Sequence, residues 1–522
     1  MKKPLLLLFV TLLFAGCQGA PVVQQSAEKL APTNGYVYVS LPKFSYYKGI
    51  TVRSLKTKEE HQLAKRSDPG ITAYGLWLPA GKYVLSGWSN YELKDYPAFE
   101  VAPGRITDLG SLIPVNIGGH ELVILPIRHP EVADEVSKAA TGFAKYLRSQ
   151  QPLTWSMQRT PTPVKLVAQA SGLGLVVDII NVHAHEAIKP SINKELKATK
   201  TIPEFFRLAL TAIHPEVMEP AADKDGNQYY GADLGQVRVR YKIGNWGALS
   251  TGSLKKITAV EAHGHSIFAG AENGKLRRTT DNGKSWQTVL TLGDKEVITD
   301  IDKVSTGWIL MTLVKERLTN GQLKIDESNV YFSANDSFSN LKHLKKVKFK
   351  VGTGLLPEVT GKEVNGIYYL SAFPELYRLD LASMKLEPLK LPTEITSFSV
   401  SANEKVISIF RSKGIFSKLF LSTDKGKSWK EYNTPPYHFT NIHFTSAKKA
   451  RTSRWSAGAF KGNYEILDYD AAENHWKLVS EAPDSCIKML WDTRNEPAFC
   501  VTRGGSILAY NDKEWQVEYS NQ

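Results

Sequence analysis

Two stretches in the C-terminal half of the chain, TTDNGKSW at 279–286 and STDKGKSW at 422–429, share the pattern Ser/Thr-x-Asp-x-Gly-x-x-Trp. The pattern predicts a hairpin turn, because an Asp side chain can accept backbone N–H groups within a turn and Gly adopts positive φ at little cost. A Trp directly after the turn can pack against a neighbouring sheet. The residues expected to build these turns are Thr279, Asp281, Gly283 and Trp286, and Ser422, Asp424, Gly426 and Trp429.

This pattern resembles the Asp box of BNR-repeat β-propellers. Weaker copies follow once the turn is placed, and turns are expected near residues 244, 282, 336, 382, 425, 472 and 512. Their spacings of 38, 54, 46, 43, 47 and 40 residues match the roughly 40–50 residues of a four-stranded propeller blade. The resemblance therefore implies a mainly β chain with a propeller over residues 223–522. Seven blades fit the spacing best, with six or eight as alternatives.

Residues 35–127 contain short strand-type runs separated by turn residues, which predicts a small β-sandwich. The stretch 78–85, LPAGKYVL, followed by 99–104, FEVAPG, is similar to the prealbumin-like accessory modules of surface proteins, which implies a spacer or an adhesive unit. The expected strands are Tyr36–Ser40, Gly49–Leu55, Ile71–Leu78, Gly81–Trp88, Ala98–Val101 and His120–Leu125.

Residues 128–222 change to an α/β or helical pattern, with apolar residues at helical spacing after Pro130. The run 166–178, LVAQASGLGLVVD, together with 205–210, FFRLAL, resembles small periplasmic α/β modules of secretins and outer-membrane receptors, which implies protein binding. The expected elements are a helix over Glu131–Ser149, a second helix from Thr162 to Gly172, a buried strand over Leu173–Val182 and a third helix over Ile202–Ile213.

The N-terminus, residues 1–16, has the basic start and short apolar run of a secretory signal peptide. It leads into Leu13-Phe14-Ala15-Gly16-Cys17, which resembles a bacterial lipobox with Phe14 where Leu is usual. The resemblance implies diacylglycerol on the Cys17 thiol and, because Gln18 follows, anchoring at the outer membrane. Residues 17–34 would then be a lipidated flexible tether. An ordinary signal peptide with a chance cysteine is the alternative.

The composition is that of a globular protein, with 42% hydrophobic and 22% charged residues, which excludes a disordered or collagen-like chain. The formal net charge is +13, and the densest basic stretch is 342–350, KHLKKVKFK, which predicts a strand with a basic face. A solvated face and a docking patch for an anionic envelope surface or an acidic protein both fit this stretch. We expect no nucleic-acid partner, because an exported lipoprotein seldom meets one.

Cys486 and Cys500 flank two strand-like runs joined by the turn-like residues 492–495. If the hairpin turns about Thr493, residues whose numbers sum to 986 face each other, and the two cysteines do. We therefore predict a structural cross-strand disulfide, which an oxidising compartment would preserve.

Proteins with Asp boxes include sialidases, which as a family use three Arg to clamp a carboxylate, a Tyr activated by a Glu, and an Asp as general acid. The nearest string to their first Arg motif, Ile127-Arg128-His129-Pro130, lies about a hundred residues before the expected position. Asp281 and Asp424 are turn residues, so we predict no catalytic residue. The candidate arginines of residues 223–522 are Arg238, Arg240, Arg277, Arg278, Arg378, Arg411, Arg451, Arg454, Arg494 and Arg503.

The Asp box also occurs in non-catalytic propellers, among them photosystem assembly factors and sorting receptors, which dock proteins or peptides. The segment 183–186, HAHE, has a spacing that could chelate zinc, but no third ligand is indicated, and we expect neither metal nor cofactor. We therefore predict a non-catalytic lipoprotein of the bacterial cell envelope whose propeller binds a protein or a glycan. A sialidase-like glycoside hydrolase and an assembly factor for an envelope complex are the alternatives.

Overall fold

The computed structural model describes a set of ranges that together cover most of the chain from residue 27 onward. These are residues 27–41, 49–65, 73–89, 91–117, 121–130, 136, 141–165, 193–217, 220–317, 323–348, 359–364, 366–372, 375–401, 406–411, 416–436, 439–457, 462–492, 497–502 and 505–520. The expected signal peptide, Cys17, the strand over Leu173–Val182 and the histidines at 183–186 lie outside them. No helix within the described ranges is long and apolar enough to cross a membrane.

The described part of the chain is mainly β-structure, as the sequence predicts, and it begins with two sheets that share one core. The larger N-terminal sheet has the order β12-β10-β9-β1-β5-β4, with β11 beside β9, and the smaller has the order β3-β2-β6-β7, with β8 beside β6. Buried residues of both, among them Val37, Val52 and Leu85, form a single apolar cluster. The strands are β1 (Asn34–Ser40), β2 (Ile50–Ser54), β3 (Glu60–Gln62), β4 (Ala64–Lys65), β5 (Ala73–Pro79), β6 (Gly81–Trp88), β7 (Tyr91–Glu92), β8 (Phe99–Val101), β9 (Ile106–Asn116), β10 (Glu121–Ile127), β11 (Leu153–Thr154) and β12 (Val164–Lys165).

Strand β9, with 11 residues, was missing from the sequence prediction. Gly110 and Pro114 within it have the character of turn residues, which hides the strand. In the structure Gly110 has a φ of 79° and lies where the ladder between β1 and β9 shifts register, between Tyr38 and Ser40. A Cβ at Gly110 would come within 2.9 Å of the carbonyl oxygen of Ile127, so the irregular backbone lets β9 pass close to β10.

The described residues after β10 differ in part from the predicted helices. The expected helix over Glu131–Ser149 ends, in its described part, as a 3₁₀ helix at Thr141–Tyr146, because the backbone N–H of Arg148 binds the carbonyl of Gly104 instead of continuing the helix. The expected helix from Thr162 is wrong at its start, since Val164 is buried and pairs with Leu122 as part of β12. The described α-helices are α1 (Ala27–Leu30), α2 (Asn193–Ala198) and α3 (Ile202–Thr211).

Helix α3 confirms the third predicted helix, ending two residues earlier than expected. Thr201 precedes it with an extended backbone, and a proline lies in its first turn, a common arrangement at helix starts. Ile202, Phe205 and Ala209 share one face and are buried against the larger N-terminal sheet. The same cluster includes Leu234 and Leu254, so α3 also connects the N-terminal part to the sheets that follow.

The rest of the described chain forms seven four-stranded sheets, each paired in sequence order with antiparallel neighbours. Sheet 1 is β13 (Ala221–Ala222), β14 (Gln228–Gly231), β15 (Gln236–Arg240) and β16 (Trp246–Ser250); sheet 2 is β17 (Ile257–His263), β18 (Ser266–Ala271), β19 (Lys275–Thr279) and β20 (Gln287–Thr291). Sheet 3 is β21 (Glu296–Val304), β22 (Gly307–Arg317), β23 (Leu323–Ser333) and β24 (Lys342–Lys348); sheet 4 is β25 (Gly361–Val364), β26 (Ile367–Ala372), β27 (Glu375–Asp380) and β28 (Lys385–Pro388). Sheet 5 is β29 (Ser397–Val400), β30 (Ile407–Arg411), β31 (Lys418–Ser422) and β32 (Lys430–Tyr432); sheet 6 is β33 (Phe439–Ser446), β34 (Lys449–Ala457), β35 (Gly462–Asp470) and β36 (His475–Glu481); sheet 7 is β37 (Cys486–Trp491), β38 (Pro497–Thr502), β39 (Ile507–Tyr510) and β40 (Trp515–Tyr519).

The seven sheets close into a ring of contacts. Each sheet shares an apolar cluster with the next along the chain. A further cluster joins sheet 7 to sheet 1 and contains Tyr230, Trp246, Leu490 and Phe499. Because no sheet combines strands from the two ends of this part of the chain, the ring is closed by side-chain packing rather than by a shared sheet.

Every turn that the sequence analysis placed, near 244, 282, 336, 382, 425, 472 and 512, falls between the third and fourth strands of one sheet. In an antiparallel meander these turns lie on the same edge as those between the first and second strands. We call this the box edge, represented by the turns 264–265, 280–286, 305–306 and 423–429. The other edge, with the turns between second and third strands and the connections between sheets, is called the linker edge, represented by 232–235 and 251–256.

Candidate functional site

The first Asp-box turn is held by hydrogen bonds among its own residues. Thr279 Oγ1 donates to Asp281 Oδ1 over 2.7 Å and accepts the backbone N–H of Gly283 over 2.9 Å. The other groups that bind the Asp281 carboxylate are the backbone N–H and the hydroxyl of Ser285, at 2.9 and 2.6 Å. These hydrogen bonds lower the pKa of Asp281 to about 2. The carboxylate is therefore used inside the turn.

The second Asp box repeats this arrangement. Ser422 Oγ donates to Asp424 Oδ1 over 2.7 Å and accepts the backbone N–H of Gly426 over 2.8 Å. The backbone N–H and the hydroxyl of Ser428 bind the Asp424 carboxylate at 2.9 and 2.5 Å, and these hydrogen bonds lower its pKa. Both boxes act as turn-forming units.

The glycines and tryptophans of the boxes contact the preceding sheet. Gly283 and Gly426 both have a φ of 82°, and a Cβ at Gly283 would lie 2.9 Å from the side chain of Leu249 in sheet 1. Trp286 packs on the cluster shared by sheets 1 and 2, and Trp429 on the cluster shared by sheets 4 and 5. The boxes therefore join neighbouring sheets as well as forming turns.

The disulfide between Cys486 and Cys500 is present, as predicted, with the two Cα atoms 5.7 Å apart. The register behind that prediction is wrong. Cys486 lies opposite Thr502, and Cys500 lies opposite Met489, because the ladder between β37 and β38 shifts between Cys486 and Lys488. The bond therefore runs diagonally between the first two strands of sheet 7.

Polar side chains on the first two strands of sheets 2, 3 and 4 lie close to one another, and we call this group the polar centre: Glu261, Asp300, Asp302, Lys362 and Tyr368. The Tyr368 hydroxyl donates to Asp302, and the backbone N–H of Gly361 donates to Asp300 over 2.8 Å. These contacts join sheets 3 and 4 at their first two strands.

Glu261 is a carboxyl group of the polar centre with a raised pKa. Burial, followed by the neighbouring Asp300 carboxylate, raises the pKa of Glu261 to about 8, while backbone hydrogen bonds and Lys362 oppose the rise. At neutral pH the group is therefore largely protonated, and it can donate a hydrogen bond as well as accept one.

His443, on the first strand of sheet 6, is also affected by the charge of Lys362. Its side chain is buried, its ring lies 4.5 Å from that of Trp491 in sheet 7, and burial followed by the charge of Lys362 lowers its pKa to about 3. Since Lys362 of sheet 4 influences both Glu261 of sheet 2 and His443 of sheet 6, the first strands of these sheets face a common centre.

The N-terminal part of the chain lies on the linker edge. Arg238 is buried and donates from Nη1 to the carbonyl of Thr211 at the end of α3, over 2.7 Å. Glu216, on the segment that leads into sheet 1, forms ion pairs with Lys488 at 3.3 Å and Lys256 at 3.5 Å. By contrast, turn residues on the box edge such as His265 and Thr306 are exposed.

The described arginines considered for a sialidase-like site occupy the second and third strands of their sheets, where each binds another group of the same chain. Tyr368, the tyrosine that pairs with a carboxylate in the polar centre, is fully buried and therefore inaccessible as a nucleophile. Their partners include the carbonyl of Thr211 for Arg238, Glu518 for Arg240, the carbonyl of Thr251 for Arg277, Asp336 for Arg278, Glu387 for Arg378, Thr393 for Arg411, Asp468 and Asp512 for Arg451, and Glu465 for Arg454. Arg494 and Arg503 lie outside the described residues.

Within the described ranges, no group of three or more His, Cys, Asp and Glu side chains is placed to hold a metal ion. The polar centre was missed by sequence reasoning. Its members come from strands up to about a hundred residues apart, so no local motif marks them. The only sequence signal is the run EVITDIDKV at 296–304, whose two Asp residues lie two positions apart on one strand.

No family model matches the chain, and no curated protein matches it. Solved structures to which the chain is similar include YCF48 bound to a D1 peptide, 14% identical, which covers 57% of this chain and 93% of its own, with a TM-score of 0.39. A chain of a mitotic checkpoint complex is 10% identical over 59% of this chain and 89% of its own, also with a TM-score of 0.39. An oligogalacturonate lyase from Vibrio parahaemolyticus is 9% identical over 58% of this chain and 88% of its own, with a TM-score of 0.38.

Proposed function

We propose that this protein is a non-catalytic lipoprotein of the bacterial cell envelope whose ring is a seven-bladed β-propeller that binds a protein partner at the box edge. Residues 35–127 serve as a prealbumin-like β-sandwich that spaces the ring from the bilayer. Lipidated Cys17 anchors the chain in the outer membrane.

The observation that carries the proposal is that the two edges of the ring are covered to different extents by the rest of the chain. Helix α3 and the Glu216 segment cover part of the linker edge, while turns on the box edge, such as 264–265 and 305–306, are exposed. Loops on a rigid scaffold are the usual place for recognition, because the sheets hold them in fixed positions. The box edge therefore offers a preformed surface beside the polar centre.

The experiment is site-specific photo-crosslinking in cells. A photoreactive residue is placed at His265 or Thr306 on the box edge, and at the exposed Phe416 on the linker edge as the matched control. We expect one dominant protein adduct from the two box-edge positions and a different or empty pattern from Phe416. A partner captured from Phe416 alone would reverse the assigned face.

The other functions give different results. Retention of an envelope glycan by the purified protein, without a protein adduct, would replace the protein partner with a carbohydrate and would justify a hydrolysis screen for the sialidase-like alternative. Loss of one specific envelope complex on deletion of the chain would make it an assembly factor. Metabolic labelling with a fatty acid, compared between the natural chain and Cys17→Ser, tests the lipid anchor separately.

A further inference from the structure

Strand β24, the fourth strand of sheet 3, carries a concentrated positive charge at the rim of the ring. It lies at the end of its sheet and is hydrogen-bonded to β23 alone. We define the lysine strip as Lys342, Lys345, Lys346 and Lys348, which fall within seven residues of one strand that contains no acidic residue. Lys342, Lys346 and Lys348 are exposed, and Lys345 is partly buried.

The other fourth strands differ from β24. Those of sheets 1 and 2 carry no charged residue, those of sheets 4, 5 and 6 each contain one lysine and one glutamate, and that of sheet 7 carries a glutamate alone. A single lysine on an edge strand is enough to discourage pairing with another chain. Four lysines without a carboxylate on the same strand exceed that need.

The contacts of the strip leave most of its charge facing outward. Lys346 forms an ion pair with Glu327 at 2.7 Å, yet its side chain remains 50% exposed. Lys345 lies over the ring of Tyr377 in sheet 4, with its ammonium group 5.4 Å from the ring centre. A cation–π contact of this kind holds the lysine stem in place and keeps its charge. With the Glu327 charge subtracted, the strip retains a formal charge of about +3.

The residue type indicates which anionic partner fits. Lysine presents a mobile, strongly hydrated point charge, whereas arginine provides the planar fork suited to a particular carboxylate. The strip contains lysine only, while ring arginines such as Arg240 and Arg451 bind carboxylates of the chain itself. A row of point charges without stereochemical demands suits a diffuse array of phosphates better than one fixed acidic site.

We propose that the lysine strip binds the phosphate headgroups of an anionic bilayer and so orients the ring with the rim of sheet 3 toward the membrane. The choice of a bilayer rests on the lipid anchor of the proposed function. From Cys17, the nine residues 18–26 reach at most about 30 Å before α1. One acyl anchor combined with a basic surface gives much more durable membrane attachment than either alone.

The test uses the full chain with Cys17→Ser, so that no acyl chain contributes to binding. Flotation with vesicles of phosphatidylethanolamine containing 30% phosphatidylglycerol is compared with vesicles of phosphatidylethanolamine and phosphatidylcholine alone. The strip variant changes all four lysines to Gln. A matched control removes the same charge from four lysines on the third and fourth strands of other sheets, namely Lys385→Gln, Lys418→Gln, Lys430→Gln and Lys477→Gln. Thermal unfolding checks that both variants are folded.

We expect binding to the anionic vesicles at low salt, a roughly tenfold or greater loss in the strip variant, and near-natural binding in the control. Replacing the four lysines with Arg should keep the binding. Equal losses in the strip variant and the control would overturn the proposal, because the overall positive charge would then be responsible. Absence of binding to the anionic vesicles at low salt would also overturn the proposal. If photo-crosslinking in cells gave a protein adduct that only the strip variant lost, the strip would be assigned to an acidic protein instead. None of these outcomes depends on whether Cys17 is lipidated or on which edge binds the partner.

Discussion

At the scale of single residues, the same functional group has opposite properties in two places on the ring. Asp281 lies in a turn that supplies hydrogen bonds to its carboxylate, which lowers its pKa to about 2. Glu261 is half-buried, and desolvation together with the neighbouring carboxylate of Asp300 raises its pKa to about 8. The first environment is made by residues within six positions of each other, so the sequence motif predicts it. The second needs three sheets, so no sequence pattern shows it.

The raised pKa of Glu261 makes the stability of the protein depend on pH. A carboxyl group whose folded-state pKa exceeds its unfolded value of 4.5 stabilises the fold fully below pH 4.5, and this contribution is lost as the pH rises through about 8. Glu261→Gln, which stays neutral, should therefore be more stable than the natural protein at pH 9 by on the order of 1–3 kcal/mol, with a smaller difference at pH 5. Denaturant unfolding at both pH values measures this.

The control for that measurement is Glu394→Gln, which changes an exposed glutamate and should leave the pH profile unaltered. Asp300→Asn should also weaken the pH dependence, because it removes the second cause of the raised pKa. Parallel profiles for the natural protein and Glu261→Gln from pH 5 to 9 would show that Glu261 is ionised throughout.

At the scale of elements, the turn between third and fourth strands is used in every sheet, but different residues fill it. In sheets 1, 6 and 7, Trp246, Trp476 and Trp515 donate their indole N–H groups to the preceding sheet. Sheets 3 and 4 have no Trp at this place. There Phe338 and Met384, each with a φ of 54°, pack toward the preceding sheet instead. The sequence predicts the turn and misses these substitutes, because packing accepts any apolar side chain of adequate size.

Gly283 allows a test of what the Asp-box turn requires. Gly283→Ala should destabilise the protein by about 2–4 kcal/mol, because the new Cβ would be strained at positive φ and would also contact Leu249. Gly264→Ala is the matched control, since Gly264 also has positive φ but a Cβ added there would meet no atom within 4 Å. Its cost should be about 1 kcal/mol, from backbone strain alone.

Gly426→Ala should fall between these two, because its Cβ would lie 3.1 Å from Leu389, a looser approach than at Gly283. Thermal and denaturant unfolding of the three variants gives the order. Equal costs for Gly264→Ala and Gly283→Ala would mean that the contact between the box and the preceding sheet contributes nothing.

At the scale of the whole molecule, the ring depends on the contact between its first and last sheets. Arg240 pairs with Glu518, which also accepts the indole N–H of Trp246 over 2.9 Å, and the Tyr230 hydroxyl donates to the carbonyl of Trp491 over 2.7 Å. Both ionic side chains are largely buried, at 22% and 14% exposure. Removing one partner therefore leaves the other charge poorly solvated.

Glu518→Gln should lower the free energy of unfolding by about 2 kcal/mol and should speed hydrogen exchange in sheets 1 and 7 more than in sheet 4. The control is Glu431→Gln, which breaks an exposed ion pair with Lys418 inside sheet 5 and should cost less than about 1 kcal/mol. Uniform acceleration of exchange across all sheets would indicate that the ring opens elsewhere.

The amino-acid sequence by itself determined the features that depend on neighbouring residues: the Asp-box turns, the repeat of four strands, helix α3 and the presence of the Cys486–Cys500 bond. Each arises from hydrogen bonding or patterning within a few tens of residues. Only the tertiary structure decided the register around Cys486, the strand β9 with its irregular Gly110, and the strand conformation of Val164. It also decided the polar centre and the closure between Arg240 and Glu518. These depend on contacts between segments far apart in the chain, where burial and charge are set by whichever residues the fold brings together.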